Sequence, residues 1–292
     1  MEKSFGNFKG ILIIGLGLIG GSLALNLKKE GFKGKIFGFD LVQNRIDYAK
    51  EKGIIDDGFT QFDKIPWEEI DLVVIASPLR TFTDIAKNIK NFLKEGSLIT
   101  DVGSVKGELV EKLERMFKPF KFIGGHPIAG TEKEGVENAV EGLFKGKKFI
   151  ISTNYDSDDK DIKRIKKLWE DLGSKVEFMT PEEHDFIFAS VSHLPHAVAF
   201  AMINTLVELS DKSNIDLFLY PGAGFRDFTR IAASSPEIWK DIFLENKENL
   251  IETIEVYKNV LDKLKCLIEE ENEEGLREYI SQSRNRRIKL DE

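Results

Sequence analysis

Near its start the chain passes from a short β-branched run, Ile11 to Ile14, directly into GLGLIG at residues 15–20 and then into an amphipathic stretch from Ile19 to Glu30. The turn fits G-x-G-x-x-G. A strand that ends this way has few folds open to it. Gly15 permits the tight turn, Gly17 lets the backbone approach a pyrophosphate, and Gly20 lets the next helix lie close on the strand. Alone the motif is a weak signal, but its context strengthens it. Asp40 closes the second strand-like run 20 residues after Gly20, where a carboxylate accepts hydrogen bonds from a ribose diol and repels a 2′-phosphate. The expected cofactor is therefore NAD rather than NADP, with Arg45 as the argument against. Gly15, Gly17, Leu18, Ile19, Gly20 and Asp40 are its expected contacts.

The alternation continues. Strand-like runs at 35–40, 72–76, 98–102, 121–123 and 149–152 are interleaved with helical periodicity at 42–52, 81–93 and 106–117. Continuous apolar runs such as LVVIA suit a sheet covered on both faces, so a parallel, doubly wound sheet is expected. After Val176 to Met179 no further convincing strand occurs. The expected architecture is a Rossmann-type dinucleotide-binding domain over 1–180, followed by an all-helical domain over 181–292. TPEE at 180–183 starts the first helix of the second half, with Thr180 as cap, Pro181 next and Glu183 three residues on. That helix should run to about Leu209, with Pro195 either kinking it or freeing the Val191 carbonyl.

Composition narrows the function. The 292 residues are 41% hydrophobic, and 42 basic against 50 acidic side chains give a formal charge of −8, which disfavours nucleic acid or an anionic membrane as partner. The single cysteine, Cys266, leaves no disulfide or thiolate zinc cluster and fits a reducing, cytoplasmic setting. The apolar run 11–27 is too short and glycine-rich for a membrane span and lacks a cleavage pattern. Abundant Lys and Glu with scarce Gln weakly suggest heat adaptation.

Four histidines offer bases near neutrality. His126 lies in GGHPIAG, read as a glycine-lined turn without a packed apolar face, hence as a functional residue. Ser104, in DVGSVK, follows a strand end on the same expected edge, with a helix cap as the alternative. Ser77, after another strand, is read as a cap or turn residue, with contact to the cofactor as the alternative. In SHLPH, His193 is read as packed and His196 as facing a cavity; no metal is expected. His184 is read as solvated or as a local cap. In GFRDFTRIA, Arg230 is the candidate for binding an acidic substrate, with Asp227 as its brace, and Arg226 is read as a surface residue. Trp239 is read as a core or dimer contact.

GLGLIGGS, Ser77-Pro78, DVGSVK, GGHPIAG, SHLPH and GFRDFTRIA occur in an order and at spacings that resemble the prephenate dehydrogenase family over nearly the whole chain. The resemblance implies NAD-dependent oxidative decarboxylation of prephenate to 4-hydroxyphenylpyruvate in tyrosine biosynthesis, and a homodimer formed through the helical domain. It also implies roles. His126 partners the substrate hydroxyl and Ser104 sits beside it near the nicotinamide. His196 lies in the substrate site and Arg230 anchors a carboxylate. The chain has no added length for a chorismate mutase or regulatory module, so a monofunctional enzyme is expected, with any tyrosine feedback acting at the substrate cleft. Arogenate is the competing substrate. A second class, an NAD-sensing protein without turnover, would need only the glycine loop.

Overall fold

In the computed structural model, which describes residues 3–131 and 133–290, the predicted glycine turn joins β1 (Gly10–Ile14) to α1 (Leu18–Lys29). Then come β2 (Lys35–Phe39), α2 (Gln43–Glu51), β3 (Asp57–Phe59), β4 (Leu72–Ile75), α3 (Phe82–Ile89), β5 (Leu98–Asp101), α4 (Gly107–Phe117) and β6 (Lys121–Pro127). The half closes with β7 (Lys148–Ser152), α5 (Lys160–Asp171) and β8 (Lys175–Met179). The sheet order is β3-β2-β1-β4-β5-β6-β7-β8. Its first six strands are parallel and follow the order shared by dinucleotide-binding sheets, with the crevice where β1 and β4 diverge.

Both faces are covered, as the apolar runs require. Along β1, Ile11 and Ile13 join the core that holds Leu23, Phe149 and Trp169, whereas Leu12 and Ile14 join Val73, Phe82 and Phe117 on the opposite face. Trp169 is fully buried, stacked on Phe149 at 3.9 Å between ring centres and edge-on to Phe144.

The sheet departs from expectation in direction. β7 pairs antiparallel with β6, and β8 runs parallel to β7. Hydrophobic patterning encodes which face is buried but not which way a strand runs. β3 also escaped the reading, because a three-residue edge strand opening Asp57-Gly58 has no apolar run.

The second half is helical: α6 (Pro181–Phe188), α7 (Leu194–Ser213), α8 (Ala223–Thr229), α9 (Pro236–Glu245), α10 (Lys247–Glu269) and α11 (Glu273–Ile288). Thr180 and Glu183 form the reciprocal cap anticipated from TPEE, at 3.2 and 2.9 Å. Pro195 does not break the helix. The chain passes from α6 to α7 through one π-helical turn, Ala189–His193, which places Pro195 in the first turn of α7, where its missing N–H is tolerated. The Pro181–Ser213 run is long and apolar enough to cross a membrane, yet only 22% of its most apolar window is buried within this chain. Val191, Leu219, Tyr220, Ile251 and Ile280 are also exposed.

Candidate active site

Each glycine of the turn meets the environment expected of it. Gly15 has φ +102°, and a Cβ there would lie 2.7 Å from the Ala76 carbonyl. A Cβ on Gly20 would sit 2.0 Å from the Gly15 carbonyl oxygen, so only glycine lets α1 pack on the strand end. Gly17 faces open space, with nothing within 4 Å of such a Cβ. The first intrahelical bond runs from Gly21 N–H to Gly17 carbonyl, leaving the N–H groups of Leu18, Ile19 and Gly20 for an anion. Open space beside unpartnered donors at a helix N-terminus fits a pyrophosphate.

Asp40 does more than wait for a ribose. One carboxylate oxygen accepts from Leu16 N–H at 2.9 Å and the other from Val42 N–H at 2.9 Å, so it braces the glycine turn. Arg45 stands 3.5 Å from it. Ser77 Oγ lies 2.7 Å from Thr81 Oγ1, and Thr81 in turn donates to the Pro78 carbonyl. This engages the Ser77 side chain in the turn after β4.

His126 is not in a turn. It sits on the last residues of β6, buried, with its ring edge-on to Phe188 at 4.9 Å. The preceding glycines serve packing rather than bending, and neither has positive φ. A Cβ on Gly124 would meet the Ser152 carbonyl at 2.4 Å, and one on Gly125 would meet both the Asp101 carbonyl and the Phe149 ring at 2.6 Å. β5 pairs with β6 only as far as Ile123, and antiparallel β7 carries the pairing through Pro127. The reversed strand therefore extends β6 past its parallel neighbours and places His126 at the carboxyl edge of the sheet.

Around His126 lies a buried polar cluster. His126 Nδ1 is 2.8 Å from His184 Nε2, and His184 Nδ1 is 2.7 Å from Asp185 Oδ1. The same Asp185 oxygen accepts the Lys106 N–H at 2.8 Å. Lys106 Nζ pairs with Asp101, both fully buried, and Asp101 also accepts the Gly103 and Gly125 N–H groups. Burial, then the neighbouring His184 and Lys106, hold the His126 imidazole well below its ordinary pKa of 6.5. Burial pushes His184 down to about 2 and raises Asp185 to about 6. His184 is thus neither solvated nor a cap. The acids before it, Glu182 and Glu183, are exposed, but the His184 and Phe188 spacing marks an inward face.

Ser104 precedes α4 without capping it; Lys106 occupies the cap position. The backbone of Ser104 hydrogen-bonds His193, whose Nδ1 accepts from Asn246 Nδ2 at 3.1 Å. His193 is packed, as read from the sequence. His196 takes a different environment: Nδ1 donates to the Ser192 carbonyl at 2.9 Å, and the half-buried ring stacks on Trp239 at 3.6 Å. Desolvation lowers its pKa, and Arg230 acts in the same direction. Arg230 lines an open groove of about 480 Å³ with Phe218, Phe225, Arg226 and Thr229. The structure thus joins Ser104 to His193, and His196 to Trp239 and Arg230; His126 does not line that groove.

A glycine turn at the crevice of a parallel sheet, with a buried neutral imidazole at the same edge and a cationic groove in a helical region, defines a two-part dehydrogenase that uses a dinucleotide. The chain belongs to the prephenate dehydrogenase family: residues 23–178 match "Prephenate dehydrogenase, nucleotide-binding domain" and 180–282 match "Prephenate dehydrogenase, dimerization domain". It is 34% identical to the prephenate dehydrogenase of Bacillus subtilis, over 95% of this chain and 75% of that one. It is 32% identical to the cyclohexadienyl dehydrogenase of Zymomonas mobilis, over 97% and 96%. The crystal structure of Aquifex aeolicus prephenate dehydrogenase in complex with hydroxyphenyl propionate and NAD+ superimposes with a TM-score of 0.92 at 49% identity, covering 97% of this chain and 98% of that one.

Proposed function

We propose that this chain catalyses the NAD-dependent oxidative decarboxylation of prephenate to 4-hydroxyphenylpyruvate, with His126 as the base at the ring hydroxyl. The observation that carries the reading is the position of His126: a buried, neutral imidazole projected by β6 to the edge that the glycine turn also occupies. NAD+, held at the glycine turn and Asp40, would supply the acceptor for the hydride that leaves the hydroxyl-bearing ring carbon. The chain's own residues do the rest. His126 takes the hydroxyl proton, and the oxygen's electron pair forms the ring carbonyl. Loss of carbon dioxide then leaves its bonding pair in the ring, which becomes aromatic, and the phenolic oxygen takes a proton back.

Ser104, in the bend before α4, is the proposed neighbour of the hydroxyl, and His196 the substrate-site histidine. Arg230 is the anchor for a carboxylate. An ion pair on the departing carboxylate would oppose its conversion to neutral carbon dioxide, which favours Arg230 on the side-chain carboxylate. Gly15, Gly17, Leu18, Ile19, Gly20 and Asp40 hold the dinucleotide, with Ser77 beside them. Residue 180 is the proposed boundary between the two parts. Exposed apolar helices and the match to a dimerization domain support a homodimer through the helical half. The lone exposed cysteine is consistent with a cytoplasmic location.

The full-length match to a cyclohexadienyl dehydrogenase supports a second reading, arogenate as an alternative substrate. Purified protein with NAD+ and prephenate, arogenate or neither, followed by the absorbance of reduced nicotinamide, separates the two. Turnover of prephenate is the expected result, and reduction of NAD+ by neither acid would overturn the proposal. Arg230→Ala is expected to raise the KM for prephenate at least tenfold, on the order of one lost charge-assisted contact; an unchanged KM removes Arg230 as the anchor.

A further inference from the structure

We propose that His184 and Asp185 are positioning residues that hold His126 in a single tautomer, with its proton on Nδ1 and its lone pair on Nε2. The inference deepens the reading of His126 as base and rests on it. It follows from three distances and the donor inventory of the groups. Asp185 is surrounded by donors: the Lys106 N–H at 2.8 Å and the Gly107 N–H, both at the N-terminus of α4, and His184 Nδ1 at 2.7 Å. Those amides and the positive end of the helix favour the carboxylate anion, which can only accept. His184 Nδ1 must therefore carry a proton.

A neutral His184 then offers only a lone pair at Nε2. His126 Nδ1, 2.8 Å away, has to donate to it. The remaining nitrogen of a neutral His126, Nε2, is left as an acceptor. His184 is held neutral by burial, which brings its pKa to about 2, so the direction of the chain of bonds is unique while Asp185 is ionised. The charged and titratable neighbours are few. Lys106 Nζ is committed to Asp101, and His193 from the π-turn faces the cluster with its pKa lowered to about 4. Asn246, neutral, donates to the Asp185 backbone carbonyl at 2.8 Å and fixes its place on α6.

The arrangement matters at the moment of proton transfer. The substrate O–H bond breaks, an N–H bond forms at His126 Nε2, and the resulting imidazolium keeps its Nδ1–H on His184. The Asp185 carboxylate, one ring further on, offsets the new positive charge. With the opposite tautomer Nε2 would already bear a proton and could only donate to the substrate oxygen.

The direct test needs no variant. The chain has four histidines, so nitrogen-15 NMR of histidine-labelled protein at pH 7 to 9 reads each ring, with His126→Asn providing the assignment. A protonated Nδ1 and bare Nε2 at His126 is expected; the reverse overturns the inference. His184→Leu is expected to lower kcat by about 10²- to 10⁴-fold, the range seen when an orienting partner of a catalytic histidine is lost, with the KM for NAD+ unchanged. His184→Gln, whose side-chain carbonyl can accept the Nδ1–H, should restore kcat to within about tenfold of the parent. Parental kcat in His184→Leu overturns the inference. If His126→Asn itself retains turnover, the base assignment has failed. If it is inactive while His126 shows a protonated Nε2, only the positioning role has failed.

Discussion

At the scale of single residues, the site predicts its own pH dependence. Asp185 titrates near 6, raised chiefly by burial, whereas His126 takes up a proton only well below 6.5. Above about pH 6 the Asp185 carboxylate is ionised and accepts from His184, so His126 keeps a free lone pair. As pH falls through that value Asp185 becomes a donor, the chain of bonds reverses, and His126 Nε2 gains the proton. The kcat/KM profile is therefore expected to fall on the acid side with a limb near pH 6, although His126 itself remains neutral there. Asp185→Asn should remove that limb while lowering the plateau. A limb unmoved by the substitution would assign it to another group. His126→Asn should reduce kcat by about 100-fold or more, as for loss of a general base, with substrate KM little changed; near-parental turnover would release His126 from its role. His126 was singled out in the sequence by the glycines around it, read as a turn, although those glycines serve strand packing and the ring lies buried against Phe188. Its partner was not. His184 follows two exposed acids, of which Glu183 completes the α6 cap, and only its spacing to Phe188 marks the inward face.

At the scale of elements, the strand, turn and helix that open the chain were legible almost residue by residue, because each glycine answers a separate steric demand. Two of them respond differently to the same change. Gly20→Ala would drive a methyl group into the Gly15 carbonyl, and overpacking of that kind costs about 1–3 kcal/mol or more. Gly17→Ala meets nothing in the protein, so its melting temperature should stay near the parent's while the KM for NAD+ rises. Thermal unfolding and NAD+ titration of the two variants check this, and a Gly17→Ala protein that binds NAD+ normally would remove the pyrophosphate from that space. The passage at Pro195 was only partly legible for a related reason. The sequence shows a proline inside a helical pattern but not the π-turn that absorbs it, since the turn is set by where His193 and the α6 partners must pack.

At the scale of the whole molecule, the alternating first half and helical second half were legible from periodicity, whereas the dimer was expected from the family resemblance alone; in the structure the helices leave much apolar surface uncovered. Val191, Tyr220 and Ile251 are more than half exposed in the single chain. A partner that covers such surface stabilises the folded state by mass action. The melting temperature is expected to rise with protein concentration, and light scattering should report twice the 33.2 kDa chain mass; a monomer mass with a concentration-independent transition would contradict this. Strand direction was the feature hidden from sequence, and the reversal at β7 carries the furthest consequence. Adjacent residues on a strand point to opposite sides, so sliding β7 by a single position against β6 would turn Phe149 and Ile151 out of the core they share with Trp169 and take away the pairing that carries β6 past Ile123 to His126. The five residues of β7 therefore act as a ruler for the end of β6: shortening that ruler leaves a sheet that still closes over its core but no longer holds an imidazole at its rim.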